Sequence, residues 1–169
     1  MNKLMEGYLL KEKQILGIVL AVVLVIFAGV MTKNNHENII YNIGDVISIG
    51  KVNYKVNNFE IRNSNDMKGR NDLIVSIDVT SKSEESEKAS FEDSFVLKIG
   101  DKSFEADSTR SGNANAGSNP FRYNQLNPDQ KIQGFVVFNI SKNQAESKKF
   151  DLLIKEGSFS SEEATVKLN

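Results

Sequence analysis

The chain predicts an all-β fold, a sandwich of antiparallel sheets behind one apolar N-terminal segment, and three observations carry that expectation. From Ile39 onward, short runs alternate apolar and polar residues with period two, and clusters of Gly, Asn, Asp and Ser separate them. No later stretch of helical length keeps a convincing apolar period near 3.6. Before Ile39, by contrast, Ile15 to Met31 carries no charge and no strongly polar side chain.

That segment reads ILGIVLAVVLVIFAGVM, and twelve of its seventeen residues are Leu, Ile, Val or Phe. Each favours insertion by about 0.3 to 0.6 kcal/mol near a helix centre, where one charge costs about 3 kcal/mol. A single transmembrane helix is expected, with Tyr8 to Leu10 and Thr32 available to extend it across roughly 30 Å of hydrocarbon. Lys3, Lys11 and Lys13 precede it and only Lys33 follows immediately, so the N-terminus is expected in the cytoplasm. A cleaved secretory signal is the alternative. Cleavage after Ala28 would put the bulky Ile26 where a small residue belongs, which favours an uncleaved anchor. Gly17 and Ala21 form one small-xxx-small pair, a weak signal for helix pairing. The expected organisation is a cytoplasmic tail over 1–14, a signal-anchor helix over 15–32, a spacer over 33–38 and an extracytoplasmic β-sandwich over 39–169.

Composition removes several function classes. Removing 32 of the 169 residues leaves 137, enough for one domain. The net charge is −1, without the basic excess that neutralises phosphates, so no nucleic acid partner is expected. The chain has no cysteine, which excludes disulfides, thiolate catalysis, thiolate metal sites and a lipidated cysteine anchor. An extracytoplasmic domain of this kind must be held by its core.

Taken in order, Ile39 to Tyr41 and Asp45 to Ile49 read as two short strands. Val52 to Ile61 follows, with Val52, Tyr54 and Val56 on one parity and Phe59 and Ile61 on the other. A β-bulge at Asn57 and Asn58 would return both sets to one face. Asn63 to Asn71 is loop by composition. Leu73 to Thr80 is the clearest strand, with Leu73, Val75, Ile77 and Val79 inward and Ser76, Asp78 and Thr80 on an expected wet face. Ser81 to Ser90 reads as a charged connection. Phe95 to Ile99, the Gly100–Asp101 turn and Lys102 to Ala106 read as a hairpin. Asp107 to Asn124 reads as a long irregular loop, of the kind that is either functional or disordered. Lys131 to Ile140 is apolar on both faces and is expected to be a central strand. Phe150 to Ile154 and Ala164 to Leu168 close the set, with at most a helical turn in Ser141 to Lys149. Eight or nine strands with two long cross-connections suit a Greek-key sandwich, and a closed barrel is the runner-up.

Four stretches together resemble the telokin-like, immunoprotective-antigen family of bacterial extracellular domains of unknown function. They are IGDVISIGKVNYKVNNFEI from Ile43, LIVSIDVTSKSEES from Leu73, FVLKIGDKSFEA from Phe95 and LNPDQKIQGFVVFNI from Leu126. The most specific piece is the Pro128, Asp129, Gln130 turn followed by Gly134 and Phe138. The resemblance implies a surface-anchored immunoglobulin-like sandwich and brings no catalytic residue or cofactor with it. Asp129 stands where that family favours glycine, which bears on the turn type, and the usual lipid-anchor cysteine is missing.

Candidate chemistry is sparse. The single histidine, His36, lies in the spacer, so the domain contains neither a Ser–His nor a Cys–His pair. Glu84, Glu85 and Glu87 form a loop run and Asp78 an expected surface carboxylate, a poor basis for a glycosidase pair. Asn63, Asn65 and Asp66, or Asp107 with nearby loop oxygens, offer hard oxygens without the spacing of a known calcium loop, so no metal is expected. Arg110, Phe121, Arg122 and Tyr123 in the long loop are the candidate contact residues, because Arg beside aromatics is the usual material of binding hot spots. The other reading of Phe121 and Tyr123 is that they fold back to cap the sandwich. The expected function is a membrane-anchored, non-catalytic binding module of the bacterial cell envelope, contacting an envelope protein or polymer. A secreted antigen-like protein, an envelope-polymer hydrolase and an accessory subunit that pairs through a sheet edge are the alternatives.

Overall fold

Period-two patterning builds eleven strands and two short helices among the residues described by the computed structural model, which are 39–89, 94–117, 120–121, 124–147, 149–155 and 162–169. The expected tail, transmembrane helix and spacer lie outside them. No helix among the described residues is long and apolar enough to cross a membrane.

One sheet is built from β2 (Val46–Ile49), β3 (Val52–Asn63), β4 (Arg70–Ser81) and β9 (Lys131–Ser141), in that order. The other takes β1 (Ile40–Asn42), β11 (Glu163–Lys167), β10 (Asp151–Lys155), β6 (Phe95–Ile99) and β7 (Lys102–Glu105), in the order given. A third, two-stranded sheet pairs β5 (Glu87–Ala89) with β8 (Asn124–Leu126). The helices are α1 (Ser108–Ala114) and α2 (Lys142–Ala145), the latter a single turn opened by a capping box on Ser141 and Gln144. Pairing is antiparallel except between β1 and β11, which run parallel.

The core lies between the two main sheets. Tyr54 and Val56 of β3, the odd residues Leu73 to Val79 of β4, and Val136, Phe138 and Ile140 of β9 meet Phe95, Leu97, Leu152, Ile154 and Val166 of the opposite sheet. Tyr54 and Phe95 meet edge to face with centroids 6.2 Å apart. The expected bulge is present: the β3–β4 register shifts between Val56 and Asn58.

Besides the parallel β1–β11 pair, the structure departs from the sequence expectation in these places. The long segment after Asp107 contains α1, and the charged connection after Ser81 contains β5. β9 is apolar on both faces yet ends its sheet; its second face is covered by α1, which buries Val137. The face of β4 expected to be wet is largely covered: Asp78 is only 8% exposed and lies 2.6 Å from Lys131 Nζ, and Ser76 is buried as well.

Two turn and strand positions explain themselves. A Cβ at Gly134 would run into the Pro120 ring and come within 3.0 Å of Phe121 and 3.1 Å of Asn115 Oδ1, so glycine lets that loop close onto β9. Asp129 has φ +55°, a left-handed conformation, and the turn is closed by Gln130 N–H donating to the Asn127 carbonyl at 3.0 Å. Glycine adopts this conformation without the Cβ penalty. Asp129→Gly is therefore expected to raise stability by about 0.5–1 kcal/mol despite the looser unfolded chain, read as a higher urea midpoint at unchanged slope.

Candidate functional site

The best-built polar constellation lies on the outer face of the β2–β3–β4–β9 sheet and begins at a helix cap. Asp107 is extended (φ −82°, ψ 108°), and its Oδ1 accepts the Arg110 N–H at 2.9 Å as the N-cap of α1. Its other oxygen lies 3.3 Å from Arg110 Nε. One carboxylate thus starts the helix and orients the side chain that the helix presents.

That guanidinium reaches back over β4. Arg110 Nη1 donates to Ser64 Oγ at 2.9 Å and to both Asp72 carboxylate oxygens at 3.0 Å. Nη2 donates to both Asp66 oxygens at 2.7 and 2.8 Å. The Arg110 side chain is only 11% exposed, and it ties α1, the β3–β4 loop and β4 together. Asp72 also accepts from Asn139 Nδ2 at 2.8 Å, while Asn139 accepts from Arg70 at its side-chain oxygen (2.6 Å) and its carbonyl (2.7 Å). The network therefore runs without a break from β9 to the β3–β4 loop.

Its electrostatics follow from these contacts. The hydrogen bond from Arg110, aided by that from Ser64, holds the exposed Asp66 carboxyl below its ordinary value. Burial works against the charge on Arg110, but the Asp66 hydrogen bond and the charges of Asp72, Asp66 and Asp107 outweigh it and raise the guanidinium above its usual value.

Beside this network runs an open groove of about 790 Å³. Its floor includes Ile74 and Val137, and Asn63, Asn65, Thr109 and Asn113 stand along it. A second depression, over Val96 and Leu153 of the opposite sheet, is lined by Lys98, Lys155, Glu105 and Glu163, charges of both signs, and reaches Arg70, Asp107 and Asn139 of the same network. The groove beside α1 is the better candidate because it holds Arg110 with all three of its carboxylate partners beside uncharged polar side chains.

Of the residues expected from sequence, Arg110 is at the centre of this site. Phe121 is not on the surface: it is 1% exposed and packs edge to face on Phe95, with centroids 5.5 Å apart, as the capping alternative has it. Arg122 and Tyr123 lie outside the described residues. The oxygen-rich stretches considered for calcium, around Asp66 and at Asp107, do come together, but around the guanidinium of Arg110. Among the described residues no group of three or more His, Cys, Asp or Glu is placed to hold a metal ion. Asp72, which sequence reasoning missed, was legible only as a polar residue at the end of a strand.

A family model described as a domain of unknown function, DUF4352, matches residues 41–165. The chain belongs to this family. Among solved structures it is similar to the yjhA protein of Bacillus subtilis, with 20% identity over 76% of this chain and 99% of that one, at a TM-score of 0.55. It is also similar to an uncharacterized beta-sandwich protein of Clostridium difficile 630, with 12% identity over 80% of this chain and 99% of that one, at a TM-score of 0.53. A candidate lipoprotein of Bacillus subtilis, ycdA, is matched over 38% of its own length and 73% of this chain, with 16% identity and a TM-score of 0.53. At these identities the likeness is one of fold, and the DUF4352 fold it shows is the β-sandwich. None of the curated proteins matches the chain in sequence.

Proposed function

We propose that this DUF4352 protein displays a non-catalytic binding module outside the cytoplasm, anchored by residues 15–32, and that the groove beside α1 is its contact surface. The observation that carries the reading is that the groove's carboxylates are already engaged by its own guanidinium, while its uncharged polar side chains are not. Arg110 engages Asp66, Asp72 and Asp107, while the side chains of Asn63, Asn65, Thr109 and Asn113 hydrogen-bond to no described residue. The Asp66 carboxyl, held below its ordinary value by the guanidinium, is a poor proton donor, which disfavours the hydrolase alternative. Neutral amides and a hydroxyl over an apolar floor suit a neutral, hydroxyl-rich ligand, and a glycan of the envelope has that chemistry. The telokin-like resemblance and the description of ycdA as a candidate lipoprotein both fit an extracytoplasmic setting.

The test is co-sedimentation of the full chain, in mild detergent, with insoluble cell-wall glycan. The wild-type protein is expected to pellet with the glycan and to release no soluble reducing ends, and Asn113→Arg, which adds bulk and charge to the groove, is expected to stay in the supernatant. Release of reducing ends would establish the hydrolase instead, and equal pelleting of wild type and variant would remove the groove from the reading. Tags at both ends check the display: proteases added to intact cells are expected to remove the C-terminal tag and spare the N-terminal one. A domain found in the medium, lacking about the first 28 to 32 residues, would establish the secreted alternative.

A further inference from the structure

β9 presents one edge to β4 and the other to no strand among the described residues, yet that second edge is bonded at Phe135, at Val137 and at the Asn139 carbonyl. Phe135 N–H donates to Asn115 Oδ1 at 2.9 Å, and Asn115 Nδ2 donates back to the Phe135 carbonyl at 2.8 Å. Val137 N–H donates to Ser111 Oγ at 3.0 Å, and the Val137 carbonyl accepts from Asp107 N–H at 2.8 Å. The Asn139 carbonyl accepts from Arg70. The Asn115 amide thus stands in for the peptide group of a neighbouring strand.

The strand behind this cover needs one. From Ile132 to Ser141 the sequence IQGFVVFNIS has no charge and no proline, and it is rich in β-branched and aromatic residues. An uncovered edge of that composition is a template for pairing with another chain. It is also self-complementary. In an antiparallel pair of two copies centred on Val136, Phe135 of each copy faces Val137 of the other, and both residues point their N–H and C=O groups at the partner. Phe135 is already 40% exposed on the outer face.

We infer that α1 with its C-cap Asn115 is an edge guard, and that the surface it covers is the site at which β9 pairs with β9 of a second copy of this chain. The guard works by competition: side-chain amide and hydroxyl groups hold the positions that a second strand's backbone would take. Displacing it exchanges these bonds for a continuous ladder across two sandwiches.

The fragment 38–169 suits the experiment, because it forms its own compact unit and keeps every buried core residue. Asn115→Asp preserves the acceptor for Phe135 N–H but sets an oxygen against the Phe135 carbonyl. At low micromolar concentration this variant is expected to lose about tenfold of the amide exchange protection of Phe135, as local opening predicts. At high micromolar concentration it is expected to sediment as a dimer while the wild-type fragment remains a monomer. Adding Phe135→Lys, which places a charge on the exposed edge, is expected to restore the monomer. Unchanged protection at Phe135 overturns the guard. A variant that opens at Phe135 and stays monomeric, or a dimer indifferent to Phe135→Lys, overturns the pairing surface. Ser111→Ala removes only the acceptor for Val137 N–H and carries the same readouts if Asn115→Asp fails to fold.

Discussion

Val136→Asp is expected to leave no stably folded sandwich at neutral pH. Val136 is buried, lies opposite Val75 in the β4–β9 register and points between the sheets. The substitution loses roughly 1.5–3 kcal/mol of apolar burial. It also buries a carboxyl group, which escapes charge only by taking up a proton. Moving its pKa from about 3.9 to above 7 corresponds to about 4 kcal/mol at neutral pH, since one unit is worth about 1.4 kcal/mol. The sum, roughly 6 kcal/mol, is comparable to the whole stability of a typical domain, about 5–15 kcal/mol. Gln133→Lys is the control. It adds a charge to the same strand at an exposed position opposite Asp78, where a cation is tolerated, and is expected to change stability by no more than about 0.5 kcal/mol. Thermal unfolding followed by circular dichroism separates the two: loss of the cooperative transition for Val136→Asp alone fits the assignment, and two similar melting curves would refute the register of β9.

The strands that define this core were legible because their burial is one-sided or follows a fixed parity. Leu73 to Val79 alternate, and the parity switch between Val56 and Phe59 points to one extra residue, which the register shift beside Asn58 supplies. The hairpin at Gly100 was legible for the same reason, and Gly100 has φ +62°. The place of β9 was not legible, because burial on both faces looks the same whether the cover is a strand or a helix. Here the cover is α1, a seven-residue polar helix with no apolar stripe to announce it. Its one local signal is Asp107 followed by Ser108, Thr109 and Arg110, the pattern of a capping residue at a helix start.

Tertiary placement hid the rest. Asp78 reads as a surface carboxylate because its neighbours on β4 alternate, but on a strand inside the sheet a long cation such as Lys131 can lie over it. The site is a harder case. Arg110 joins Asp66 and Asp72, 44 and 38 residues earlier in the chain, and no local pattern relates them. Composition showed hard oxygens in both loops, without the spacing of a metal site. The cation they meet proved to be a side chain of the same protein, so the chemistry of those loops was readable and its partner was not.

Arg110→Met tests what that cation does, and its effect is expected to depend on pH with a definite sign. Methionine keeps much of the stem's packing and removes the charge, leaving Asp72, Asp107 and Asp66 facing one another. Breaking a fully buried pair costs about 3–5 kcal/mol. With Asp72 at 17% exposure and the others more open, about 2–3 kcal/mol is expected at pH 7, near a 10 °C fall in Tm. In the wild-type protein the carboxyl of Asp66 titrates below its unfolded value, so it contributes stability above that value and loses it as pH falls through the folded one. In the variant the Asp66 carboxyl loses the hydrogen bond that lowers it and faces the neighbouring carboxylates, so its folded value rises, protonation relieves the repulsion and acid stabilises. Wild type should therefore weaken below about pH 4 as Asp66 protonates, while the variant recovers over the range just above. The gap between the two Tm values is expected to be widest at neutral pH and to shrink steadily towards acid. A gap that stays constant with pH would assign Arg110 a packing role alone, because only the ionic contribution can titrate away.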